Sequence, residues 1–200
     1  MLLERKVLLA LKDGNHGSFY PRANEFASNG LPFISASDID EDGNINFSEC
    51  KRLPLDKAKR LTIPPAIGGD VMLTHNATVG RVALLPNEIG PVIASTSTTY
   101  YRTNSDVLAS NYLKYYFSSP LYQQQLKEIM GQTTRNQVPI TAQKDLFIII
   151  PNIGEQIRLS AIFDALTNKQ TAAKVKLAKA KDLKQGQMND LLTGKVRVKA

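Results

Sequence analysis

Two scarcities narrow the chemistry open to this 200-residue chain: it has one cysteine, Cys50, and two histidines, His16 and His75. A lone cysteine excludes an internal disulfide and fits a reducing compartment. A zinc site needs three or four Cys, His or carboxylate ligands, and these residues do not supply a set, so no metal site is expected. Ser18 and Ser95 sit in no nucleophile-elbow context, and Gly68-Gly69 is not followed by the lysine of a phosphate-binding loop. No Gly-x-Gly fingerprint follows a strand, and no carboxylate-plus-lysine cluster of a nuclease stands out. No catalytic residue is assigned on these grounds, and the chain reads as a binding module. Long apolar runs are also missing, since none approaches the roughly 20 residues needed to span a bilayer. Residues 7–11, behind Glu4, Arg5 and Lys6, are too short a run for a secretion signal, so the expectation is a cytoplasmic chain with no membrane partner.

What is present is ordinary in amount but uneven in place. Hydrophobic residues at 42% and charged residues at 22% describe a globular chain long enough for one core with an appendage, or two small domains. The formal charge is +7. From Glu155 onward there are ten Lys or Arg against four acids, whereas the first 154 residues hold fifteen against fourteen. Three readings of Lys174, Lys176, Lys179 and Lys181 stay open: attraction to phosphates, docking of an acidic protein, or keeping a helix in solution.

The basic stretch has clear ends. Pro151 stops an apolar run, Asn152 can cap, and Glu155 completes a capping box three residues on. No proline follows before Leu192, and Gly194 is placed to end a helix in the left-handed conformation. A helix of roughly 38 residues would be about 57 Å long. Phe163, Gln170, Leu177, Lys184 and Leu191 are spaced by sevens, and Leu166, Ala173, Ala180 and Gln187 lie three residues further on each time. Alternating three-and-four spacing is a coiled-coil seam, which predicts a dimer contact through Phe163, Leu166, Gln170, Ala173, Leu177, Ala180 and Leu191. The alternative is a solvated basic tail, partly helical.

Before this helix the pattern is mixed. Residues 7–11 predict a short strand, followed by a loop of small polar residues in which Asn15 and His16 offer groups that read base edges. Arg22 is suited to stacking or phosphate binding. Residues 31–34 and 45–47 predict strands flanking an acidic turn at 40–44, and 54–61 a short basic helix. Residues 71–73 and 81–86 predict a hairpin whose loop bears His75, Asn76, Thr78 and Arg81. Residues 91–94 and 98–101 add half-buried strands, residues 105–117 and 120–130 read as helices, and 146–150 as a buried strand. The polar loop 131–137 offers Thr133, Thr134 and Arg135 for sugar-phosphate contact or serves as a plain connector. Tyrosines at helical spacing read as core. The expected fold is α+β: a globular mixed domain over 1–150 with a twisted, largely antiparallel sheet, followed by a long C-terminal coiled-coil helix over 151–200.

Several motifs then coincide in order. Pro151-Asn152-Ile153-Gly154-Glu155-Gln156-Ile157, with Leu166 and the ending Leu191-Leu192-Thr193-Gly194-Lys195-Val196-Arg197, resembles the spacer helix of type I restriction-modification specificity subunits. Gly69-Asp70-Val71-Met72-Leu73-Thr74, the run from Val79 to Pro86, Gly131-Gln132-Thr133-Thr134-Arg135 and Asp13-Gly14-Asn15-His16-Gly17 resemble the target recognition domain of that family. Members of the family usually carry two recognition domains and two spacers, and this sequence has one of each. The resemblance implies a non-catalytic half-subunit that pairs with a second copy through antiparallel helices and reads a bipartite inverted-repeat site on double-stranded DNA. It would position methyltransferase subunits and restriction subunits, which would hold the adenosylmethionine, ATP and magnesium. Base readout would fall to Asn15, His16, His75, Asn76 and Arg81, and backbone contact to Arg22, Thr133, Thr134 and Arg135. A competing expectation is a regulatory or scaffold half-subunit that pairs with another specificity subunit without productive DNA reading.

Overall fold

A computed structural model of the chain describes residues 6–131 and 136–198. It divides into two compact units, residues 1–157 and 158–200. In the first, the strands are β1 (Leu8–Lys12), β2 (Leu31–Ile34), β3 (Lys51–Leu53), β4 (Val71–Thr74), β5 (Val82–Leu84), β6 (Ile93–Ala94) and β7 (Thr98–Thr103). The helices are α1 (Leu55–Ala58), α2 (Ser110–Ser118), α3 (Pro120–Gly131), α4 (Ile140–Gln143) and α5 (Ile153–Leu192), the last continuing into the second unit.

Four strands form a sheet in the order β1-β7-β4-β5, with every pair antiparallel. A smaller sheet runs β3-β2-β6, where β2 is antiparallel to β3 and parallel to β6. Residues 71–73 and 82–84 form the hairpin that the sequence predicts. The inner strand β7 departs from expectation, because Thr98, Thr99, Tyr100 and Tyr101 are all buried and the sheet is covered on both faces there. Alternation sends successive side chains to opposite faces. Tyr101 meets Phe117 of α2 edge-on at 4.7 Å, and Phe117 stacks on Tyr122 of α3 at 4.2 Å. Tyr100 belongs instead to the cluster of Ile34, Ile39, Met72, Leu85 and Val92, and its hydroxyl donates to Pro64 O at 2.9 Å. Tyr112, Leu113, Tyr116 and Phe117 are the buried face of α2, as their spacing predicts. Cys50 lies in the Tyr100 cluster, where burial pushes its thiol pKa up.

Two predicted strands are corrected. The strand paired with β2 is 51–53, not 45–47; residues 45–47 make only an isolated bridge, Ile39 to Ile45, that closes the acidic turn. Asp40 fills that turn with its own acceptors, taking the backbone N–H groups of Asp42 at 2.9 Å and Asn44 at 2.8 Å. Residues 146–150 form no strand. Side chains of the helices satisfy their backbone instead: Gln125 Oε1 accepts from Phe147 N at 2.8 Å, Gln125 Nε2 donates to Phe147 O at 3.1 Å, and Tyr112 donates to Ile149 O at 2.9 Å. Phe147 and Ile149 therefore point outward from an apolar run that reads as core.

Helix α5 has the predicted ends. Glu155 N donates to Asn152 Oδ1 at 3.0 Å, and the return contact is Asn152 Nδ2 to Glu155 Oε2 at 3.4 Å, side chain to side chain. Gly194 takes φ +73°, and Val196 N turns back to Asp190 O at 3.0 Å. Its 40 residues span about 60 Å. In the second unit every residue of 165–189 is exposed in the single chain, including Leu166 and Leu177 at more than half of full exposure. Among the described residues no helix is long and apolar enough to cross a membrane.

The sheet carries a partly buried ion pair, Asp70 with Arg102 of β7, at 2.9 Å and 2.8 Å on the two carboxylate oxygens. Asp70 is 1% exposed and also accepts from Ile67 N at 2.9 Å. Removing the guanidinium leaves a buried carboxylate short of its partner. Arg102→Met is expected to cost about 3 kcal/mol, the low end of the range for a broken buried pair because Arg102 keeps some solvent contact. A urea unfolding midpoint that falls with an unchanged slope checks it.

Candidate nucleic-acid interface

Antiparallel order decides which loops are neighbours. Lys12 pairs with Tyr100 and Thr74 pairs with Thr98, so the end of β1, the end of β4, the start of β5 and the start of β7 lie at one end of the sheet. The loops 13–19, 75–81 and 95–97 all leave from that end. Residues 136–138 join them, since Asn76 bridges to Gln137 and Val138 N donates to His75 O at 2.8 Å. Of the candidates, Asn15, His16, His75, Asn76 and Arg81 thus come to one end of the sheet, and Thr133, Thr134 and Arg135 lie outside the described residues.

Two candidates sit beneath this surface rather than on it. Asn15 is 5% exposed, and its Oδ1 accepts from Thr62 N at 2.8 Å, Thr62 Oγ1 at 2.9 Å and Ile63 N at 3.1 Å. The backbone beside it passes so close to Ser95 that a Cβ on Gly14 would lie 2.2 Å from Ser95 C. His75 is 6% exposed, with Nδ1 2.8 Å from Thr99 Oγ1. Burial lowers its pKa, against the pull of Asp13, which raises it. Both side chains fix loops in place.

Others are presented outward. His16 is exposed, with Nε2 2.9 Å from Asp13 Oδ2. Asn76 is half-buried, and its Oδ1 accepts from Ala77 N at 2.9 Å. Ala77 and Thr78 form the exposed tip, with Ala77 in the left-handed region at φ +64°. The loop is pinned at Gly80, whose carbonyl accepts from Gln123 Nε2 at 2.9 Å; a Cβ there would lie 2.3 Å from Gln123 Oε1. Arg81 is half-buried and donates through Nη1 to Ile39 O at 2.8 Å, tying the hairpin to the acidic turn.

Two hollows flank the loops, and charge separates them. One of about 420 Å³, between residues 41–43 and 78–82, sets Glu41 and Asp42 against Arg81, the wrong balance for a polyanion. The other, about 530 Å³, is lined by Phe19, Tyr20, Arg22, Glu25, Lys57 and Arg60. Phe19 and Tyr20 are exposed aromatics, and Tyr20 is held edge-on to Phe33 at 5.9 Å. Glu25 accepts from Arg22 N and pairs with Arg60, and these contacts hold its carboxyl pKa below the usual value. Three cations against one carboxylate suit a nucleic-acid backbone, by phosphate attraction. Among these residues the sequence singles out only Arg22 as a contact. Aromatics followed by arginine at 19–22 and the basic helix at 54–61 are both visible there, but nothing local says that they meet.

Among the described residues no group of three or more His, Cys, Asp or Glu side chains is placed to hold a metal ion. Loops gathered at one sheet end beside a cationic, aromatic cleft define a protein shaped for surface recognition. The model of a family described as type I restriction modification DNA specificity domain matches residues 15–181, and the chain belongs to that family. It is similar to the type I restriction enzyme MjaIX specificity subunit of Methanocaldococcus jannaschii, 25% identical over 156 residues that cover 74% of this chain and 35% of that protein. Similar solved structures include a chain from work on assembly and conformational transition of the type I R-M system, with TM-score 0.65 and 22% identity over 93% of this chain and 43% of that one. The HsdS subunit from Thermoanaerobacter tengcongensis matches with TM-score 0.59 and 21% identity, over 90% of this chain and 41% of that one. At such identities the structures show a shared fold. The chain spans about a third to two fifths of these relatives.

Two outcomes are expected. His75 holds a pKa below its ordinary 6.5, so the unfolded chain takes up this proton first as the pH falls. Its contribution to stability is whole above 6.5 and lost as the pH drops through the lower folded-state value. His75→Gln should flatten that part of a plot of thermal midpoint against pH. In the cleft, Arg22→Ala and Lys57→Ala should each reduce the slope of log K against log salt for duplex DNA by about 0.9, without changing any sequence preference. Fluorescence anisotropy at several salt concentrations measures it.

Proposed function

We propose that this chain is a sequence-specific DNA recognition subunit of a type I restriction-modification complex, acting in the cytoplasm as a homodimer of half-length subunits. The observation that carries the reading is the convergence of the 13–19, 75–81 and 136–138 loops on one end of the antiparallel sheet, next to the Arg22, Lys57 and Arg60 cleft. Family membership supplies the kind of target. In this reading His16, Asn76 and Thr78 contact base edges, Asn15 and His75 hold their loops, and Arg81 braces the hairpin. Arg22 contacts the DNA backbone, as do Thr133, Thr134 and Arg135.

The exposed seam Phe163, Leu166, Gln170, Ala173, Leu177, Ala180 and Leu191 supports pairing with a second copy. Two identical recognition domains related by a two-fold axis read two inverted half-sites, so the target is bipartite and palindromic. The pair positions methyltransferase and restriction subunits, and adenosylmethionine, ATP and magnesium are held by those partners. Adding the chain to its methyltransferase subunit should direct adenine methylation to an interrupted palindrome, mapped by sequencing of the methylated DNA. Absent or unselective methylation, with tight binding to a full-length specificity subunit, would favour a scaffold role and reject this reading.

A further inference from the structure

Seam residues of α5 differ enough in character to select one pairing geometry from the sevenfold repeat. We infer that two copies of α5 pair antiparallel in a single register, with Leu166 against the partner's Leu191, Gln170 against the partner's Gln187, Ala173 against the partner's Lys184 and Leu177 against the partner's Ala180. The inference rests on the homodimer reading above and deepens it. The two-fold axis then crosses the helices between Ala178 and Lys179.

The four distinct layers that lie within both helices are chemically matched, while Phe163 falls opposite the partner's Gly194, past the helix end. Two leucines meet near each end of the overlap. The two seam glutamines face one another, so that each amide offers a donor and an acceptor to its partner instead of being buried against a hydrocarbon. Lys184 lies over alanine, the small residue that lets a lysine stem pass across the seam and its ammonium reach water. Leu177 over Ala180 allows close approach at the middle. On the flanks Lys169 falls beside the partner's Asp190, twice by symmetry. Within its own chain Asp190 pairs with Lys195, at 3.2 Å.

The alternatives fail on the same residues. Sliding one heptad one way sets Leu166 against the partner's Lys184 and Gln170 against the partner's Ala180. Sliding it the other way sets Leu177 against the partner's Gln187 and carries Gln170 to the partner's Gly194, beyond the end of the helix. Both separate the glutamines. A parallel pair stacks Lys184 on Lys184 and sets Lys169 beside the partner's Lys174 and Lys176 beside the partner's Lys181, so like charges flank both sides. The antiparallel register keeps one kind of like-charge contact, Lys174 with the partner's Lys181, twice by symmetry, at exposed positions where salt screens it.

Cysteine cross-linking of the full chain in a Cys50→Ala background tests this directly. Leu166→Cys with Leu191→Cys should give a disulfide-linked dimer on mild oxidation, and Leu166→Cys with Lys184→Cys should give little. Dominant cross-linking of the second pair, or of Leu166→Cys alone, overturns the register while leaving a homodimer standing. Sedimentation of the parent chain as a monomer at micromolar concentration overturns the homodimer with it. As a second measure, Lys169→Glu should raise the dimer dissociation constant about fivefold, and adding Asp190→Lys to it should restore pairing. No restoration overturns the flank assignment and the register with it.

Discussion

The pairing of β7 with both β1 and β4 is the constraint on which the first unit depends. It joins residues 98–103 to residues 8–12 on one side and 71–74 on the other, contacts made across long stretches of chain. A slip of one residue would exchange Tyr100 and Tyr101 between faces, driving one ring out of its packing against Phe117 and the other away from the Pro64 carbonyl. Because both faces are covered, this register has no neighbouring alternative. The same antiparallel order brings the ends of β1 and β4 and the starts of β5 and β7 together. Packing of the core and convergence of the loops are two results of one arrangement.

Polar side chains buried below those loops transmit the arrangement to the surface. Asn15 fastens the first loop to residues 62–63, just past the basic helix, and so couples the polar loop to the cleft. His75 joins the hairpin to Thr99, and Tyr101 donates to Gln143 at 2.7 Å, whose own amide donates to Val138 O at 2.8 Å. Gln156 does the same for the first turn of α5, donating to Val107 O and Pro151 O while its Oε1 accepts from Ala109 N. In a low-dielectric interior these groups specify geometry because any other arrangement leaves one unsatisfied. Exposed positions above them, such as Ala77 and Thr78, carry no such obligation.

The sequence is most legible where the signal is local. Asn152, Glu155 and Gly194 mark the ends of α5, and the 71–84 hairpin and the tyrosine face of α2 follow from periodicity. Where partners are distant, the same reasoning falls short. Residues 45–47 alternate like a strand, but the tight turn at Asp40 leaves room for a single bridge, and β2 pairs with 51–53 instead. Residues 146–150 have strand composition, yet Gln125, Tyr112 and Tyr116 occupy their backbone. Asn15 looks like a reader because asparagine in a polar loop so often faces outward. Only the position of Thr62 shows that its oxygen is committed. The cleft is invisible for a related reason, since residues 19–22 and 57–60 come together only in the folded chain, where Glu25 pairs with Arg60.

The composition of the α5 seam fits a partnership that is specific before it is strong. Alanine at Ala173 and Ala180 buries little apolar surface, and Gln170, Lys184 and Gln187 bury less, so such a seam gains modest free energy per layer compared with one of leucine and isoleucine. What it gains is discrimination, since each polar residue rejects the registers that strand it. In the proposed homodimer, geometry would reinforce this pairing: once one recognition domain is bound to DNA, the other is held at a high effective concentration beside its half-site. On that proposal pairing and DNA reading reinforce each other, and a seam register that fixes the symmetry axis would also fix which inverted repeats two chains engage together. The seam would then contribute to specificity through that spacing, although none of its residues needs to touch a base.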